Sequence, residues 1–199
     1  THLDRKLSNA DITESYDAGT NLTTITLPYT IDATMKLVGK SGASNKAGRD
    51  ISLASQTGTT ITVNGDITAF NYFIGEQYQF DYTFSQQYLA LGTNTQGSRT
   101  RIREGRLQIR NWTVSFNDTG FFQSSVTPVG RDASVATFTG TIVGTGLAGS
   151  VNLEDGDFTF AVQSRNENLT ISLTNNSHLP CNFVNAEWEG YYVSQASNS

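Results

Sequence analysis

Apolar and polar residues alternate with a period of two from one end of the chain to the other. Ile25 and Leu27 alternate with threonines, Met35 and Leu37 follow, and Ile61 and Val63 repeat the pattern. The clearest instance sets Tyr78, Phe80, Tyr82 and Phe84 against Gln77, Gln79, Asp81 and Thr83. Further on, Phe158, Phe160 and Val162 oppose Asp157, Thr159 and Gln163, and Leu169, Ile171 and Leu173 oppose Asn168, Thr170, Ser172 and Thr174. An extended backbone then has one face on a core and one in water, as antiparallel sheets do. Asn64-Gly65, Asp118-Thr119-Gly120, Asp155-Gly156 and Asn175-Asn176 separate the segments with turn-forming residues. The pattern predicts about ten short strands in an all-β fold of antiparallel sheets, sandwich or propeller-associated. Tyr78, Phe80, Tyr82, Phe84, Trp112, Phe116, Phe158, Phe160 and Trp188 all fall on apolar strand faces and are expected in the core.

One strand changes face. Between Arg106 and Phe116, Leu107 and Ile109 are apolar on one side, whereas Trp112, Val114 and Phe116 are apolar on the other. A bulge near Arg110-Asn111, or a strand passing between two packing environments, accounts for the switch. Helix is scarce. Only Asp66 to Phe73, with Asp66 as N-cap, and Ser98 to Glu104 have room for a turn or two. Gly39 to Asp50 and Leu91 to Gly97 read as surface loops, and the polar tail from Ser194 to Ser199 as a frayed end. No fixed-period repeat is long enough for a solenoid or full propeller. The division expected is a small β region over residues 1–65 and an antiparallel β domain over residues 66–199.

Composition agrees with the pattern. Of 199 residues, 27 are Thr, 19 are Ser and only 16% are charged, which excludes a coiled coil or long helical bundle. The 11 Phe, 8 Tyr and 2 Trp argue against disorder. The longest apolar runs fall far short of the roughly 18 residues of a membrane helix, so no membrane insertion is expected. A net charge of −5 repels nucleic acid in bulk, and any polyanion contact must come from a local basic patch. A single cysteine, Cys181, leaves no internal disulfide.

The candidate chemistry is thin. Gly144 to Gly149 has the spacing GxGxxG, but Val151 to Phe160 reads as a polar loop and then a strand rather than the helix a pyrophosphate site needs. His178 and Cys181 could share a soft metal, yet His2 is the only other histidine and Pro180 lies between them. Glu187 and Glu189 flank Trp188 at about 7 Å, within the range of a glycosidase pair. Such pairs normally face each other from different strands across a cleft, so a solvated strand face is the ordinary reading. Glu154, Asp155 and Asp157 read as an acidic turn. Five Asn-x-Ser/Thr sequons are about what this composition yields by chance. No cofactor or metal is expected and no catalytic residue stands out.

The least ordinary feature is basic. Arg99, Arg101, Arg103, Arg106 and Arg110 fall within twelve residues and make up five of the 13 Lys and Arg, with only Glu104 among them. They form either an interface that pairs with carboxylates of this or neighbouring chains, or a phosphate-facing patch. A stand-alone carbohydrate-binding or adhesin β-domain is the alternative for the whole chain, since exposed Tyr and Trp on polar strands suit sugar stacking.

Several segments, in order, resemble a known family. They are Gly105-Arg106-Leu107-Gln108-Ile109-Arg110-Asn111-Trp112-Thr113-Val114, Phe116 to Phe122, Val126-Thr127-Pro128, Gly130-Arg131-Asp132 and Phe138-Thr139-Gly140. Leu179-Pro180-Cys181-Asn182 and Ala186 to Tyr192 close the run, and His2 to Lys6, Thr24 to Tyr29 and Phe73 to Glu76 with Phe84-Ser85 open it. Together they resemble the C-terminal part of the tail tubular protein B, or tail nozzle, family of T7-like short-tailed bacteriophages. The resemblance implies a fragment of a longer, non-enzymatic, virion structural protein, made in the host cytoplasm. It implies copies of itself in a six-fold ring, with the tail adaptor protein and tail fibres as partners. It also implies a conduit for DNA ejection, in transient non-specific contact with genomic DNA.

Overall fold

Seventeen strands, every pair of them antiparallel, account for most of the described chain. The computed structural model describes residues 2–40, 47–93, 99–101, 105–140 and 151–194. The first eight strands are β1 (Asp4–Ser8), β2 (Thr13–Asp17), β3 (Leu22–Thr26), β4 (Met35–Gly39), β5 (Asp50–Ile51), β6 (Leu53–Thr57), β7 (Thr60–Asn64) and β8 (Tyr72–Glu76). They form two sheets of order β1-β8-β4-β5 and β2-β3-β7-β6. Ile25 and Ile61 from one sheet meet Met35, Leu37, Tyr72 and Ile74 from the other, all at 1% exposure or less. The residue-65 boundary expected above falls between β7 and β8, and β8 pairs with β1 and β4.

Polar groups inside this core are matched. Thr23 is fully buried, and its Oγ1 donates to the Gly65 carbonyl at 2.7 Å and accepts from the Ile67 amide at 3.2 Å. Tyr72 is also fully buried, and its hydroxyl donates to Glu14 Oε2 at 2.5 Å. Burial and the Glu14 carboxylate both push the Tyr72 phenol far above its usual range. Tyr72→Phe is therefore expected to cost about 1–2 kcal/mol, because it strands a half-buried carboxylate oxygen. Urea titration of the two proteins measures this, and equal midpoints would show the bond to be worth nothing.

The remaining strands are β9 (Phe80–Thr83), β10 (Ala90–Thr93), β11 (Arg99–Arg101), β12 (Arg106–Thr119), β13 (Phe121–Pro128), β14 (Ser134–Thr139), β15 (Glu154–Arg165), β16 (Leu169–Asn175) and β17 (Phe183–Val193). A three-stranded sheet, β15-β12-β17, packs on a four-stranded one, β14-β13-β16-β9, while among the described residues β10 and β11 pair only with each other. The chain changes sheet at Gly120, two residues after Asp118 with its left-handed φ of 47°. Trp112, Val114 and Phe116 of β12 meet Phe122, Val126, Ile171 and Leu173 of the facing sheet in a second core.

The face switch in β12 is a bulge. Between Ile109 and Asn111, Arg110 has no counterpart on β17, so the strand gains one residue and its apolar side chains return to one side. Leu107 and Ile109 are buried along with Trp112, Val114 and Phe116.

Some expectations change. Asp66 caps a turn rather than a helix, its Oδ1 accepting from the Thr68 amide at 3.0 Å and hydroxyl at 2.6 Å. Once its side chain has satisfied that amide, the chain turns directly into β8. Arg99 to Arg101 is a strand held by pairing with Ala90 to Thr93, which also takes up the start of the expected loop at Leu91. Glu154 to Asp157 opens β15 rather than forming a turn, because its backbone pairs with β12. Tyr78 and Tyr82 are 45% and 51% exposed, not core. Tyr78 precedes its strand and lies against the His2 ring at 3.9 Å, and Tyr82 is on the edge strand β9. Phe80, Phe84, Phe158 and Trp188 do pack against the second core, and Phe160 lies within it.

Candidate interaction surface

The outer face of the β15-β12-β17 sheet is built almost entirely from hydroxyls, amides and charges. The register sets Ser115 between Asp157 and Asn185, Thr113 between Thr159 and Glu187, Asn111 between Ala161 and Glu189, and Gln108 between Arg165 and Tyr191. Thr113 and Thr159 share a hydrogen bond of 2.8 Å across the strands. Asn185 Nδ2 donates to Glu187 Oε1 at 3.0 Å, and Asn111 Nδ2 to Glu189 Oε2 at 3.4 Å. Charge runs along this face. Asp157, Glu187 and Glu189 occupy one end and Arg106, Arg110 and Arg165 the other.

The arginine cluster is divided among three places. Arg106 and Arg110 are exposed on β12, Arg110 at the bulge with its Nη1 donating to the Tyr191 hydroxyl at 3.0 Å. Arg99 and Arg101 belong to the two-stranded β10–β11 ribbon, and Arg103 lies outside the described residues. Among the described residues the ion pairs are Arg5–Asp32, Arg5–Glu76 and Lys36–Asp50, all within the first pair of sheets. Arg106 and Arg110 are thus matched to no carboxylate in the described chain.

The other candidates do not converge. Glu187 and Glu189 point outward from one strand into solvent while Trp188 packs inward, so they face no cleft as a pair. His178 Nε2 lies 3.0 Å from the Gly48 carbonyl, and Cys181 is half-buried, its thiol pushed up by burial. Among the described residues no three His, Cys, Asp or Glu side chains are grouped to hold a metal. The glycine motif at 144–149 lies outside the described residues.

Sequence reading missed one feature. Between the edge strands β9 and β17 lies an open groove of about 540 Å³, with Val114 and Leu173 at its base and Tyr82, Phe84 and Val184 around it. The two sides of the sandwich touch through Phe80 and Phe183, 5.8 Å apart, and Phe84 and Trp112, 4.7 Å apart. The available signal was the run from Phe183 to Val193, which has no Pro and no Lys to blunt a strand edge.

A polar sheet face and an open groove between edge strands mark a β-protein that presents surfaces to other molecules. The chain belongs to the bacteriophage nozzle protein family, whose model matches residues 1–199. It is similar to the tail tubular protein gp12 of Escherichia phage T7, with 27% identity over 139 residues, or 69% of this chain. The match spans 17% of that relative's length. Family membership supports a structural role in a phage tail.

Proposed function

We propose that this chain is a wall element of a short phage tail, copies of which form a ring around the path of the ejected genome. The family match over residues 1–199 carries the reading. Two features of the surface support it. The outer sheet face sets Asp157, Glu187 and Glu189 where they repel phosphate, and the groove between the edge strands β9 and β17 is open. In this reading the protein is structural rather than catalytic, resides in the virion after synthesis in the host cytoplasm, and holds the adaptor protein and fibres through other surfaces. The two cores act as two folding units, divided between β8 and β9.

Cryo-EM of the parent particle tests the placement. Density for this fold encircling the tail channel is expected, and density on the capsid or at a fibre tip alone would overturn it. DNA handling gives a further expectation. Ejection requires any sequence to slide past, so base-specific contacts would act as brakes, and each neutralised phosphate adds affinity that slows transit. A chain of net charge −5 should therefore bind duplex only weakly, without sequence preference, and less as salt rises. Fluorescence anisotropy with two unrelated duplexes at low and physiological salt measures this. Submicromolar, sequence-selective binding that survives physiological salt would make the chain a DNA-recognition domain instead.

A further inference from the structure

At the arginine-bearing end of the β15-β12-β17 face, two adjacent strands leave regular pairing together. Ile109 is opposite Ser164 and Asn111 opposite Ala161, so one residue of β12, Arg110, faces two of β15, Val162 and Gln163. Gln163 takes a left-handed φ of 49°, an unfavourable conformation for a residue with a side chain. Val162 is buried in the second core, while Gln163 and Arg110 are exposed. Bulges re-aim side chains, and this one turns an amide and a guanidinium outward at one level of the sheet.

Hydrogen-bond donors crowd the same level. Gln108 is flanked across the strands by Arg165 and Tyr191, each about 5 Å away. Arg106 and Arg110 lie two residues to either side of it along β12, about 7 Å. Arg106, Arg110 and Arg165 are all exposed, and among the described residues none of them forms an ion pair. Arg110 is steadied instead by the hydroxyl of Tyr191, a residue 59% exposed. Glu189, the first acid along the face, accepts from Asn111. Three positive charges this close repel one another, so an anion placed among them is attracted by all three.

We propose that this bulged end, formed by Arg106, Gln108, Arg110, Gln163, Arg165 and Tyr191, is the surface of the chain that touches nucleic-acid phosphates. The inference rests on the wall-element reading and locates its contact with the genome. Arg, Gln and Tyr are side chains that bond phosphate and sugar oxygens, and such contacts carry no sequence information. A flat sheet face rests on the backbone, whereas reading base edges takes a helix or ribbon inserted in a groove. The other end of the face limits the contact. Asp157 and Glu187 stand opposite Ser115 and Thr113, and with Glu189 they repel the next phosphates. About three phosphates are therefore neutralised per chain, enough to guide a strand and too few to hold it.

The salt dependence of binding to a labelled duplex of arbitrary sequence tests the site on the full chain. A triple variant, Arg106→Gln with Arg110→Gln and Arg165→Gln, is compared with a second, Lys6→Gln with Arg49→Gln and Arg131→Gln, which loses the same charge from exposed positions elsewhere. The first should bind at least about tenfold more weakly at low salt, and its plot of log affinity against log salt should be shallower by about 2 to 3. The second should keep the parent's slope. Replacing the three arginines by Lys should keep it too, because an ammonium still neutralises a phosphate, and near-UV circular dichroism verifies that each variant is folded. Equal losses in the two Gln variants, an unchanged slope in the first, or a parent that does not bind at low salt overturns the site. Self-association lost in the first variant with its slope unchanged also overturns it, and assigns the arginines to carboxylates of another copy. Each of these results leaves the wall-element reading standing, whereas particles holding the chain outside the tail overturn that reading.

Discussion

Phe122→Ala is expected to lower folding stability by about 4 kcal/mol, the range for removing a large ring from a close-packed core. Phe122 is fully buried on β13, and its ring lies between 5.1 and 5.6 Å from those of Phe116, Phe138, Phe158 and Phe183. These neighbours come from both sheets of the second sandwich, so truncation opens a cavity at their junction, and neither sheet can close it without moving the other. Near-UV circular dichroism, which follows ring packing, combined with urea titration measures the effect. The first core shares no residue with this cluster, so a separate transition from residues 2–76 should keep its midpoint. A loss below about 1 kcal/mol would mean that the ring cluster is not the centre of the fold.

Gly190→Ala should be nearly as damaging, for a different reason. Gly190 lies opposite the β12 bulge, where the extra residue brings the backbone of Gln108 and Ile109 close to β17. A Cβ at position 190 would stand 2.4 Å from the Gln108 carbonyl oxygen and 3.2 Å from the Ile109 Cα. Both are backbone atoms held in the sheet, so relief requires the two strands to part. Replacing Gly by Ala in a strand without such crowding gains about 0.5–1 kcal/mol through the unfolded state. The clash outweighs that gain, and a net loss of about 3 kcal/mol is expected. Gly156→Ala is the control. Its Cβ would meet nothing nearer than Phe116 Cζ at 3.8 Å, so that variant should be neutral or slightly more stable. Equal stability of the two variants in thermal and urea unfolding would show that the bulge yields easily.

Much of the surface was legible only in part. The arginine cluster stood out in the sequence because five basic residues in twelve is unusual in an acidic chain. Its division between a free ribbon and the end of β12 was not legible, since strand pairing and not spacing separates Arg99 and Arg101 from Arg106 and Arg110. Glu187 and Glu189 read correctly as a strand face because side-chain direction in a strand follows from parity alone. The groove went unread because its walls, β9 and β17, are about a hundred residues apart.

By itself the sequence determined the all-β class, the inward face of most strands and the change of face in β12, which the register then showed to be a bulge. These come from the two-residue period of side-chain direction, a local property that can be counted along the chain. Tyr78 and Tyr82 obey the same period and are nonetheless half exposed, because alternation says which way a ring points and not whether another layer covers it. Layering was decided by tertiary structure alone. β12 takes its partners from residues 154–165 on one side and 183–193 on the other, and β9 pairs with a strand nearly ninety residues later. Those choices maximise burial over the whole chain at once, since each sheet face must find a matching face. Which edges are left open is a remainder of that global choice and is written in no single segment.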